Sequence, residues 1–76
     1  MAAPDTGIAL DLNHASAEDL DRLPGIGPVL AGRIVAYRRG HGGFHRVEEL
    51  LGVTGIGPKL MERLRGRVRV GRRAGD

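Results

Sequence analysis

The 76-residue chain is predicted to fold as an all-α domain of four to five short helices, arranged as two copies of a helix–bend–helix unit. Three observations predict it. A stretch of sequence returns after thirty residues, both copies contain Gly-Ile-Gly-Pro, and aliphatic residues follow each copy at helical spacing.

The duplication aligns residues 20–34 with residues 50–64. Seven of the fifteen pairs are identical: Leu20/Leu50, Gly25/Gly55, Ile26/Ile56, Gly27/Gly57, Pro28/Pro58, Leu30/Leu60 and Arg33/Arg63. Leu23/Val53 and Ile34/Leu64 are aliphatic exchanges. Chance does not easily place Gly-Ile-Gly-Pro twice in so short a chain, so one structural unit is used twice.

Each element follows from local chemistry. Ser16 suits a helix cap, and Asp19 three residues on makes a near capping box. A short helix is expected over about residues 17–22, presenting Leu20 and Leu23 to the core until Pro24 and Gly25 end it. Pro28 fits the first turn of a second helix, where a missing N–H costs nothing. Leu30, Ile34 and Tyr37 recur along that helix, with Ala31 and Val35 beside them. Gly40, Gly42 and Gly43 are expected to stop it. The second unit repeats the plan with a short helix over about 47–51, a bend at Gly55, Ile56 and Gly57, and a helix over about 58–65. Phe44 is expected to plug the core between the units. Val68 and Val70 alternate with Arg67 and Arg69, which reads as a short extended segment, a pairing partner for residues 8–12. The organisation expected is an N-terminal tail (1–9), one tandem domain (10–70, units about 16–40 and 46–66) and a basic C-terminal tail (71–76).

The bends suit an anion. Glycine reaches positive φ without strain and lets another group come close. Ile26 and Ile56 are expected to anchor each bend in the core. The N–H groups of Gly27, Val29 and Leu30, and of Gly57, Lys59 and Leu60, have no partner inside their helices. The positive end of the helix dipole adds to the field there, which makes a backbone site for a phosphate oxygen. Gly25 and Gly55 open each bend. Lys59 stands at the mouth of the second bend as an ionic contact, where the first has Val29. Arg33 and Arg63 are equivalent by the repeat and either reach the backbone or stay solvated. Arg65, Arg67, Arg69, Arg72 and Arg73 add diffuse attraction. Backbone donors cannot see bases, so such contacts position without specifying. Two such grips on one duplex gain from effective concentration.

The residues 23–28 (Leu-Pro-Gly-Ile-Gly-Pro) and 53–58 (Val-Thr-Gly-Ile-Gly-Pro) resemble paired helix-hairpin-helix motifs. The wider pattern joins Leu12 and Asn13, residues 15–20, Arg33 to Val35 with Tyr37 and Arg38, Gly42 to Phe44, and Glu49 to Leu51. Together these resemble the C-terminal DNA-binding domain of ComEA-type competence proteins, over about residues 10–70. The resemblance implies a compact, SAM-like tandem helix-hairpin-helix fold. It implies a receptor for double-stranded DNA in natural transformation, outside the cytoplasmic membrane (periplasm or outer face), alongside other DNA-uptake proteins. Met61 departs from the pattern, standing where the first unit has the small Ala31. The family's membrane anchor or signal peptide is not visible in the chain.

Composition narrows the function classes. Cysteine is absent, which excludes disulfides and thiolate metal sites. Tyr37 and Phe44 are the only aromatics, which argues against binding single strands by stacking bases. The net charge is +3, and residues 39–76 carry nine of the twelve basic side chains. This basic half is either a solvated surface or a footprint for a polyanion. No apolar run approaches the ~18 residues of a membrane span. His41 and His45 have a ligand-like spacing but lie in a glycine-rich loop with no cysteine, so no metal, cofactor or small-molecule substrate is expected. No catalytic set is recognisable, and the bends lack the Gly-Lys-Ser/Thr of a nucleotide-binding loop. An enzyme is therefore not expected. Two other readings stand beside a DNA receptor: an accessory module of a repair or replication protein, and a protein-interaction domain.

Overall fold

A computed structural model describes residues 9–71. The first element among the described residues is a two-residue strand, β1 (Leu10–Asp11), which turns into helix α1 (Ala17–Asp21). Ser16 starts α1 with a full capping box: its hydroxyl accepts from the Asp19 N–H at 3.0 Å, and the Asp19 carboxylate accepts from the Ser16 N–H at 3.3 Å. Arg22 caps α1, and the bend at residues 23–27 leads into the long helix α2 (Pro28–His41), which has Pro28 in its first turn.

Helix α2 runs past Gly40, the first of the three glycines expected to stop it. Gly40 is helical, and the stop falls at Gly42, whose φ of 72° is the left-handed conformation that glycine adopts without strain. The N–H groups of Gly42 and Gly43 both close on the Arg38 carbonyl. A lone glycine costs a helix only about 1 kcal/mol, which packing of α2 outweighs.

The second unit is less regular than the first. Its opening segment is a 3₁₀ helix (Val47–Gly52) rather than an α-helix, followed by the second bend and helix α3 (Pro58–Leu64). Strand β2 (Val68–Arg69) then pairs with β1 in parallel, with Leu10 opposite Val68 and Asp11 opposite Arg69. This is the extended pairing expected from the alternating valines, although Ile8 lies outside the described residues. The fold is thus all-α in substance, with one short parallel pair joining its ends.

The core sits between the units. Leu12, Leu20, Ile34, Phe44, Leu50, Met61 and Leu64 are fully buried. Phe44 fills the centre as expected, with Tyr37 stacked on it at 4.9 Å. Met61 takes the buried place that Ala31 holds in the first unit, so the larger side chain is absorbed by the core. Two polar side chains tie distant segments together. Asn13 accepts from the Phe44 N–H at 2.6 Å and donates to the carbonyls of Phe44 and Gly71. Arg38 donates to the carbonyls of Leu12 and Ala15 at 3.0 and 2.7 Å, holding the approach to α1 against α2. Among the described residues, every buried side-chain nitrogen and oxygen has a partner, as a native interior requires.

Candidate functional site

The two bends have the same construction. In each, the isoleucine is buried and its N–H closes a tight turn, Ile26 onto the Leu23 carbonyl and Ile56 onto the Val53 carbonyl, both at 3.0 Å. The isoleucines therefore anchor the bends, as expected, and have no free N–H to offer a ligand. The next glycine caps the following helix in extended backbone, Gly27 at φ −115° and Gly57 at φ −102°.

The two glycines of each bend do different things. Gly25 and Gly55 have φ of 82° and 99°. A Cβ on Gly25 would stand 2.6 Å from Leu60 Cδ1, and one on Gly55 would stand 2.7 Å from Leu30 Cδ2. The first bend is thus pressed against α3, and the second against α2, as a two-fold exchange between the units. At Gly27 and Gly57 a Cβ would face open space, with nothing within 4 Å of it. The close approach that glycine permits is already taken at the first glycine by the other unit's leucine. At the second glycine it is free for a ligand.

The N–H groups of Gly27, Val29 and Leu30, and of Gly57, Lys59 and Leu60, donate to no acceptor among the described residues. Leu30 and Leu60 contribute twice, since their side chains lock the opposite bend while their N–H groups stay available. Val29 is 66% exposed, a large apolar side chain in the position that Lys59 holds in the second unit.

The arginines are crossed between the units. Arg33 Nη1 donates to the Thr54 carbonyl at 3.0 Å and lies 3.0 Å from a Cβ on Gly55. Arg63 Nη1 lies 3.7 Å from a Cβ on Gly25 and makes no hydrogen bond or ion pair among the described residues. Each arginine therefore sits at the bend of the unit to which it does not belong. Sequence periodicity pairs Arg33 with Arg63 but says nothing of which unit faces which, and no local signal marks the crossing.

The remaining cations divide. Arg65 is held by Glu62 at 2.9 Å and Glu48 at 3.0 Å. The hydrogen bonds it donates to Glu62 and then to Glu48 push its pKa up. Its charge is locally balanced and adds little to the diffuse attraction expected of it. Arg69 lies 3.8 Å from Asp11. Arg67 is exposed and unpaired among the described residues, and Arg72 and Arg73 lie outside them. His41 stacks on Tyr37 at 3.8 Å, and His45 pairs with Glu49 at 3.4 Å. A shallow groove beside the second bend is lined by Arg33, Ala36, Tyr37, Gly52, Val53 and Thr54.

Comparison with known proteins agrees with this geometry. Residues 6–69 match the family described as Helix-hairpin-helix motif. The chain is 36% identical over 64 residues to ComE operon protein 1 of Bacillus subtilis, a match covering 84% of this chain and 31% of that protein. It is 43% identical over 60 residues to an uncharacterised protein of Haemophilus influenzae, covering 78% of this chain and 54% of that one. It is 38% identical over 67 residues to Endonuclease/exonuclease/phosphatase family domain-containing protein 1 of Xenopus laevis, covering 88% of this chain and 12% of that one. The chain thus spans from an eighth to about a half of the length of these relatives. Two glycine bends in tandem, each with a buried isoleucine and a proline-started helix, and a family match over most of the sequence lead to one conclusion: the chain belongs to the helix-hairpin-helix family.

Proposed function

We propose that this domain binds double-stranded DNA by its phosphate backbone, without reading sequence, and that it serves as a DNA receptor for uptake in natural transformation. The observation that carries the reading is the pair of open bends, each with an uncovered glycine followed by N–H groups that have no acceptor among the described residues. Amides of this kind bind anions, and Lys59, Arg63 and Arg33 put positive charge beside them. The relative named ComE operon protein 1 supports the uptake role and, with it, a place outside the cytoplasmic membrane alongside other uptake proteins. No helix among the described residues is long and apolar enough to cross a membrane. No part of the reading calls for a catalytic group, a metal or a small-molecule substrate. The match to about an eighth of the Xenopus protein favours a second reading, in which the same grip is an accessory DNA-binding module of a larger protein, such as one of repair or replication.

Titration of fluorescent duplexes tests the binding. About four phosphates contacted would give a log–log salt slope near −3 to −4, with affinity in the micromolar non-specific range. Two unrelated duplexes should bind alike, and Lys59→Glu should bind both more weakly with an unchanged circular dichroism spectrum. Strong preference for one duplex, or binding indifferent to salt, would overturn the backbone mechanism.

A further inference from the structure

We propose that the phosphate contact at each bend is completed by the arginine of the other unit, Arg63 of α3 at the first bend and Arg33 of α2 at the second. This rests on the DNA-binding reading above and assigns its ionic contacts. Arg22 caps the end of α1 before the turn that Ile26 closes on Leu23, residues 23–30 of the bend and its helix start contain no cation, and Val29 occupies the place of Lys59. The cation that the fold sets against this bend is Arg63, with Nη1 3.7 Å from the Gly25 Cβ position. Its guanidinium is exposed, and its five donors are engaged by nothing among the described residues. A planar fork of this kind matches phosphate oxygens better than a point charge does.

At the second bend Arg33 spends one donor on the Thr54 carbonyl, which fixes the guanidinium beside Gly55 and leaves the others for a ligand. The second bend thus has two cations, Lys59 and Arg33, and the first has one, borrowed from α3. Neither unit is a whole phosphate grip. Exchange of Leu30 and Leu60 across the interface carries the arginines three residues further along the same helices with them.

The test is a titration of the ¹⁵N-labelled protein with a short duplex, read amide by amide. Arg63 has no bond to lose among the described residues, so Arg63→Gln carries the test without loosening the fold. It should diminish the DNA-induced shifts of Gly27, Val29 and Leu30 while Gly57 and Lys59 keep theirs. Loss of one ionic contact should flatten the salt slope by about one and weaken binding about eightfold at 0.1 M salt. Arg63→Lys should recover most of that loss. Arg33→Gln is the reciprocal arm, diminishing the response at Gly57 and Lys59. An Arg63→Gln effect that falls on Gly57 and Lys59, or on neither bend, would overturn the crossed assignment while DNA binding stands. A wild-type spectrum that does not respond to duplex would overturn the DNA-binding reading, and this inference with it.

Discussion

Replacing Gly25 by alanine separates the structural glycine from the open one. Gly25 has φ of 82°, where an L side chain costs about 1–2 kcal/mol. The new Cβ would stand 2.6 Å from Leu60 Cδ1, closer than two carbons can approach. Leu60 must turn away or the bend must lift off α3, an overpacking cost of about 1–3 kcal/mol. The expected loss for Gly25→Ala is therefore about 2–5 kcal/mol, against a total near 4–11 kcal/mol for a domain of this length. Gly27→Ala should cost no more than about 1 kcal/mol, the preference of a helix cap for glycine over alanine, because its φ of −115° suits any residue and its Cβ meets nothing within 4 Å. Urea unfolding followed by helical circular dichroism measures both. Repeating Gly25→Ala in a Leu60→Ala background removes the collision and leaves the backbone cost, so the two changes should couple by about 1–3 kcal/mol. Equal damage from Gly25→Ala and Gly27→Ala, or no coupling to Leu60, would refute the division of labour between the glycines.

Two further outcomes concern the clasp at the ends of the domain. Asn13→Ala should cost about 1–3 kcal/mol by leaving the buried Phe44 N–H without an acceptor, seen as a lower Tm and no change in DNA affinity per folded molecule. Burial acts to raise the Asp11 pKa, but the N–H of Asn13, the His14 ring and the N–H of Gly71 outweigh it and hold the carboxyl below its usual value. A carboxylate so held stabilises the fold above its unfolded pKa near 4 and loses that contribution as the pH falls through the lower folded value. Wild-type Tm should therefore drop on acidification below about pH 4 more steeply than that of Asp11→Asn, and parallel Tm curves would count against the clasp.

The local parts of this fold were legible because their causes are local. Ser16 with Asp19, proline at the start of α2 and α3, and positive-φ glycine at the bends each act within a few residues, and each is where the sequence predicts it. Of the three glycines expected to stop α2, Gly42 does so and Gly40 does not, because glycine's weak penalty inside a helix yields to packing. The 3₁₀ form of residues 47–52 also escaped, since both helix types share a hydrophobic face over so short a run. At the candidate site the bends and their free N–H groups follow from the motif. The packing of Gly25 on Leu60 and Gly55 on Leu30 does not, because it depends on how the units dock. Asn13 gave no warning of its part, since a single asparagine in a loop carries no periodic signal and its partners lie 31 and 58 residues away.

The parallel pairing of β1 with β2 bears on how the domain would carry load. The chain enters at the bottom of one strand and leaves at the top of its neighbour, with Leu10 beside Val68 and Leu12 N–H on the Arg69 carbonyl. Tension between these two points slides the strands along each other instead of peeling them open. The ladder bonds and the Asp11 contacts to Gly71 and Arg69 must then yield together. A domain held in this way resists being drawn out from these two points.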